Sequence, residues 1–137
     1  MIAITREVSA GFAACELSFV ARSPIDVARA RMQHRAYEAA LRALGCVVES
    51  MVQQPRLADS VFVEDTAIVF DELAVMTRPG AQSRRAEVSS VAEALGRHRP
   101  LRWMQALGTL DGGDVLRIGH VVHVGASARS NAEGAEQ

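Results

Sequence analysis

The sequence contains no lysine, so all 15 of its basic residues are arginines. That absence removes whole classes of chemistry. A Schiff base needs a lysine amine, and a Walker-type phosphate loop needs a lysine beside its glycines. Cysteine is scarce as well. Cys15 and Cys46 stand far apart without CxxC spacing, which argues against a zinc knuckle or a redox dithiol and fits a reducing compartment. There is no excess of positive charge: the formal net charge is -1, so the clustered cations that neutralise phosphates are missing and nucleic acid is not an expected partner. Long apolar runs are absent too, none approaching the roughly 20 residues of a membrane span. The stretch Gly11-Phe-Ala-Ala-Cys15 faintly resembles a lipoprotein cleavage site, but Arg6 and Glu7 interrupt the apolar run before it. The expected location is therefore cytoplasmic, without a membrane partner.

What is present suits a single domain, 1–137, with a sizeable core: 137 residues, 49% of them hydrophobic. Residues 2–5 alternate weakly and suggest a strand. Ser23-Pro24 predicts a helix start, with Ser as cap and Pro at the first position. Ile25, Ala28, Met32, Ala36, Tyr37, Ala40, Leu41 and Leu44 then recur at helical spacing, predicting one buried face, and Gly45 ends the run. Residues 46–52 read as a strand. Residues 66–70 and 73–77 predict a hairpin around Asp71-Glu72, 83–95 a second helix stopped by Gly96, and 101–105 a strand. A second hairpin is expected from 115–118 and 121–124 through Gly119-His120.

The two hairpins lie inside a larger repeated pattern. Asp65, a hairpin, Gly80-Ala81 and then Arg84 form the first copy; Asp114, a hairpin, Gly125-Ala126 and Arg129 form the second. Helix-forming sequence follows each, with Glu87 in one and Glu133 in the other. A period of about 45 residues implies related supersecondary units around an axis or along a stack. Around an axis, the hairpin mouths would converge and bring carboxylates and guanidinium groups into one pocket. The alternative is that both arginines are helix-start residues in weak surface ion pairs.

Leu57-Ala-Asp-Ser-Val-Phe-Val-Glu-Asp65 carries the densest functional signal. If 59–63 is extended, Asp59, Val61 and Val63 share a strand face and Glu64 and Asp65 follow at its end. Carboxylates are what a guanidinium ligand needs, because its planar fork donates to paired oxygens. The spacing excludes a calcium loop but leaves a solvated acidic turn open. Leu110-Asp-Gly-Gly-Asp114 suggests a tight turn between two acids, with Asp111 placed to orient a histidine or a guanidinium. His120 and His123, three apart in a strand, face opposite ways and cannot share a metal. His34 and His98 read as surface helix residues. Ser127 in Gly-Ala-Ser-Ala-Arg is not a nucleophile elbow.

Four segments in order, Asp59-Ser-Val-Phe-Val-Glu-Asp65, Thr77-Arg-Pro-Gly-Ala-Gln-Ser-Arg-Arg85, Leu110-Asp-Gly-Gly-Asp114 and Gly125-Ala-Ser-Ala-Arg-Ser-Asn131, resemble the dimethylarginine dimethylaminohydrolase family. Residues 1–56 match more loosely, through Leu17 and the Gln33-His-Arg-Ala-Tyr37 helix. The resemblance implies an α/β fold of pentein type, an αβ propeller of ββαβ repeats, of which this chain would hold the N-terminal half, about two and a half of five blades. It implies that Asp65 holds a guanidinium with Glu64 beside it, that Asp59 and the Leu17 carbonyl bind an α-amino group, and that Arg84 and Arg129 clamp an α-carboxylate. Asp111 would orient the catalytic histidine. That histidine and the nucleophilic cysteine are expected downstream of Gln137, and neither Cys15 nor Cys46 matches the nucleophile.

The implied reaction hydrolyses dimethylarginine to citrulline and dimethylamine, with the chain inactive alone. No cofactor or metal is implied. A small arginine derivative is the expected ligand, and self-association or pairing with a missing C-terminal half is expected to cover open faces. The alternatives are an arginine deiminase or amidinotransferase relative, or a non-catalytic binding fragment.

Overall fold

The computed structural model describes residues 1–17 and 20–137. They form two compact units, Met1–Phe62 and Val63–Gln137.

The first unit is a β-α-β crossover. Strand β1 (Ile2–Arg6) pairs in parallel with β2 (Val47–Met51), Ile2 opposite Val47, and helix α1 (Val27–Ala43) connects them. The helix does not begin at Ser23-Pro24. Asp26 is its cap, its carboxylate accepting from the Arg29 backbone N–H at 2.9 Å, so Pro24 lies outside. A carboxylate satisfying an otherwise orphaned helix donor fixes the start three residues later than expected.

The helix ends at its glycine as expected. Gly45 adopts φ 86°, the Gly45 N–H donates to the Arg42 carbonyl, and the Cys46 N–H donates to the Leu41 carbonyl. This pair of bonds is the Schellman closure, and its left-handed residue favours glycine. The predicted buried stripe of α1 is corrected: Met32, Tyr37 and Leu44 are all exposed, and the buried member of the helix is Glu38. Thr5 donates to Glu38 at 2.7 Å, so hydrogen bonding compensates the burial of that carboxylate.

In the second unit one ββαβ unit is complete. Strands β3 (Ala67–Val69) and β4 (Ala74–Met76) make the expected hairpin, shorter at both ends, with Ala67 opposite Met76. Helix α2 (Val88–Leu95) then leads to β5 (Leu101–Trp103), which pairs in parallel with β4. Ala74, Met76, Val88, Val91, Ala92 and Leu95 pack as the apolar core of this unit.

The expected helix over 83–95 is in fact a 3₁₀ segment, Gln82–Glu87, running into α2. In 3₁₀ geometry residues three apart eclipse, which puts Arg84 and Glu87 on one side, and both are buried. The second hairpin matches its expected bounds, β6 (Val115–Ile118) with β7 (Val121–Val124), Gly119 at φ 60° in the turn. Helix α3 (Ala132–Glu136) follows, capped by Asn131, whose side chain accepts from the Gly134 N–H. Among the described residues no helix is long and apolar enough to cross a membrane.

Candidate functional site

The acidic run is not a strand. Residues 58–61 form turns and Val63–Thr66 a 3₁₀ segment, so Asp59, Val61 and Val63 share no strand face. Local bonds compete with extension here: the Ser60 hydroxyl donates to the Leu57 carbonyl, and the Thr66 hydroxyl to the Val63 carbonyl, each at 2.8 Å. The turns direct Asp59 and Asp65 inward, and both carboxylates are buried.

In the first unit, both Asp59 oxygens accept from the backbone N–H of Glu16, at 3.0 and 3.2 Å. Leu17 is the next residue, and it is exposed. Asp59 and the Leu17 backbone, paired by the family resemblance, are therefore neighbours.

The second unit gathers Asp65, Arg84, Asp111 and Arg129, four residues far apart in sequence. The Thr77 hydroxyl and backbone N–H hold this segment by donating to the carbonyls of Asp65 and Thr66. Arg84 Nη1 donates to Asp65 Oδ2 at 2.5 Å, while its Nε and Nη2 both reach Glu87 Oε2, at 3.2 and 2.8 Å. Asp111 Oδ2 lies 3.3 Å from Arg129 Nη1 and 3.9 Å from Arg84 Nη1. Arg129 Nη2 in turn donates to Asp114 Oδ1 at 2.6 Å. Buried Arg84 is thus not one of the solvated pairs that the sequence left open.

The two glycines of the Asp111-Gly-Gly-Asp114 segment serve close approach; a left-handed turn is not their reason, since only Gly45 and Gly119 have positive φ among the described residues. A Cβ on Gly112 would stand 2.0 Å from the Glu64 carbonyl oxygen. One on Gly113 would meet Asp65 Oδ1 at 2.9 Å and Asp111 Oδ1 at 3.0 Å. Bare backbone is what lets the two acidic segments meet.

Four acids, Asp65, Glu87, Asp111 and Asp114, thereby surround two arginines, and the cluster is short of positive charge. The strain registers at Asp111. Burial first, and then the neighbouring Asp65 charge, push its pKa up to about 6, against the opposing pull of the Gly113 N–H and Arg129. Glu64 is raised as well, by desolvation and then by the Asp65 charge. Asp114 is shifted the other way: hydrogen bonds from Ser127, Ser130 and Arg129 outweigh its burial and hold it below the ordinary range.

Glu87, Asp114 and Ser130 were missing from the sequence-derived site. Asp114 was discoverable, because the repeat makes it the counterpart of Asp65. The second copy is not a full echo, however: three residues beyond Arg129 stands Ala132 where Glu87 follows Arg84, and the Arg129 side chain is correspondingly 39% exposed. His34 is half-buried against Glu38, correcting its surface reading, and His98 lies in the turn after α2. Among the described residues no group of three or more His, Cys, Asp or Glu is arranged to hold a metal ion.

No protein-family model matches the chain. Relatives do. An N(G),N(G)-dimethylarginine dimethylaminohydrolase of Streptomyces coelicolor is 43% identical over 136 residues, 98% of this chain and 53% of the relative. The enzyme of the same name from Pseudomonas aeruginosa is 40% identical over 114 residues, 82% of this chain and 45% of that one. Among solved structures, a cysteine-to-serine variant of the Pseudomonas aeruginosa dimethylarginine dimethylaminohydrolase, complexed with citrulline, superimposes with a TM-score of 0.92 at 36% identity, covering 97% of this chain and 52% of that chain. The chain thus spans about half the length of the curated relatives it matches. Its fold is the α/β, pentein-type fold of these structures.

Proposed function

Because the chain is a relative of the dimethylarginine dimethylaminohydrolases in sequence and fold, spanning about half their length, we propose that it is the substrate-binding half of an enzyme hydrolysing the guanidinium of N-methylated arginine. The observation that carries this reading is the convergence of Asp65, Arg84, Asp111 and Arg129 in a cluster whose acids outnumber its arginines. A guanidinium ligand would reduce the excess of negative charge, and its planar fork suits paired carboxylate oxygens.

In this proposal Asp65 holds the guanidinium with Glu64 beside it, and Asp59 and the Leu17 carbonyl take the α-amino group. Arg84 and Arg129 take the α-carboxylate. Arg129 is the more accessible of the two, whereas Arg84 is also committed to setting the Asp65 carboxylate. Asp111 orients a histidine supplied, with the nucleophilic cysteine, by a segment outside these 137 residues. That cysteine thiolate would attack the guanidinium carbon and expel dimethylamine, and water would release citrulline from the covalent intermediate.

On this reading the chain alone is inactive in the cytoplasm, and it associates with itself or with a complementary half. Coexpression with the unmatched half of the Streptomyces coelicolor relative, followed by a citrulline assay with dimethylarginine, tests it. Citrulline from the pair and none from the chain alone is expected. Citrulline formed by the chain alone would refute the division of labour, and none from a demonstrated complex would refute the assignment.

A further inference from the structure

The first unit carries a half-open cavity of about 440 Å³ lined by residues of α1, of β2 and of the segments that follow β1 and β2. Its volume falls in the range of small-molecule sites, roughly 300–1,000 Å³. None of the residues assigned to the guanidinium site lines it.

Arg31 and Arg35, one turn apart on α1, both line this cavity. Arg31 spends only its Nε, donating to the Val8 carbonyl at 3.3 Å, so its two terminal nitrogens remain available. The Arg35 side chain forms no hydrogen bond or ion pair with any described residue. Gln53 also lines the cavity, and its side-chain oxygen is held by the Ala10 N–H at 2.6 Å, which fixes the orientation of its amide and leaves the NH₂ as a donor. His34 is a further lining residue, and its Nε2 is buried without a hydrogen-bond partner.

The two acids that line the cavity already accept hydrogen bonds. Glu38 accepts from Thr5 at 2.7 Å and from Arg42 at 3.4 Å, with His34 Nε2 also 3.4 Å away. Glu7 accepts from the Gln53 backbone N–H at 3.3 Å. Of the charged side chains that line the cavity, Glu38 is paired with Arg42 from outside the lining, whereas Arg31 and Arg35 have no carboxylate partner among the described residues. The donors left unused include both terminal nitrogens of Arg31 and the guanidinium of Arg35.

We propose that this cavity is a second ligand site, taking a small phosphate-type oxyanion between Arg31 and Arg35. The two forks fit adjacent oxygens of a tetrahedral anion, and the Gln53 amide offers a neutral donor to a third.

Calorimetric titration of the full chain with inorganic phosphate at fixed ionic strength tests the proposal, with Arg31→Gln, Arg35→Gln and, as an exposed control that does not line the cavity, Arg102→Gln. One saturable site is expected, weakened at least about fivefold by either cavity substitution and less than about twofold by Arg102→Gln. In the unaltered chain sulfate should displace phosphate, and chloride at the same ionic strength should not. The proposal is overturned by titration that does not saturate below about 20 mM phosphate, by equal weakening in all three variants, or by binding that neither cavity substitution changes. Should a variant fail to fold by circular dichroism, the sulfate and chloride competition in the unaltered chain decides the question.

Discussion

Arg129 donates through Nη2 to Asp114 at 2.6 Å, and this pair reproduces, one hairpin later, the bond from Arg84 to Asp65. Each arginine thus grips the acid that begins its own hairpin, and Asp111 lies beside both. The difference between the copies is functional in character. Glu87 seals Arg84 into the interior, whereas Arg129 has no counterpart of Glu87 and keeps a face toward solvent.

The buried Arg84 should be the more costly of the two to lose. Removing one partner from a buried ion network leaves uncompensated charge, so Arg84→Met is expected to cost about 3–5 kcal/mol. Arg84→Lys should recover part of that loss, since a point charge cannot serve Asp65 and Glu87 in the same fork geometry. Urea denaturation of the three proteins gives the comparison.

Asp111 dictates a pH dependence with a definite sign. Its pKa is raised in the folded chain from 3.8 to about 6, so the folded state binds the proton more tightly than the unfolded state does. The contribution of this group is fully present below pH 3.8 and is lost as the pH rises through about 6. Asp114, shifted down, acts in the opposite direction and loses its contribution as acid protonates it. Carbon-13 carboxyl titration should therefore show an Asp111 resonance moving near pH 6, and Asp111→Asn should flatten the stability profile between pH 3.8 and about 6.

Gly112 should tolerate no side chain. A Cβ 2.0 Å from the Glu64 carbonyl oxygen meets backbone, which cannot swing aside as a flexible side chain would. Gly112→Ala is expected to destabilise the chain by about 3 kcal/mol or more, at the upper end of overpacking costs, read from the urea midpoint.

The cap of α1 gives a milder test. Asp26→Ala should cost about 1 kcal/mol and Asp26→Ser much less, whereas Ser23→Ala, outside the helix, should leave the thermal midpoint unchanged.

Much of this was legible in the sequence where a local rule decides the outcome. The β6–β7 hairpin and the Gly45 stop follow from turn and cap chemistry, and both stand as expected. The matched pairs of Asp65 with Arg84 and of Asp114 with Arg129 followed from the repeat, because equivalent positions in related units face equivalent directions, whereas Asp111 was singled out by its own Asp-Gly-Gly-Asp segment. Where two local rules compete, the sequence was less decisive. Ser23-Pro24 and Asp26 both make plausible caps, and only the carboxylate reaches a helix N–H. The alternation of 59–63 suggested extension, yet the Ser60 and Thr66 hydroxyls bond backward and turn the chain. The α1 stripe misled for another reason: periodicity identifies a face, and whether this chain covers that face is a tertiary property.

The most direct test of the central claim is nitrogen-15 NMR titration of the chain with N(G),N(G)-dimethylarginine, following the backbone amides of Gly112 and Gly113, with Asp65→Asn and the exposed Asp71→Asn in parallel. The account predicts saturable shifts at both glycines that Asp65→Asn abolishes and Asp71→Asn preserves. Amides that stay unmoved up to about 10 mM ligand, or shifts that survive Asp65→Asn, would contradict it.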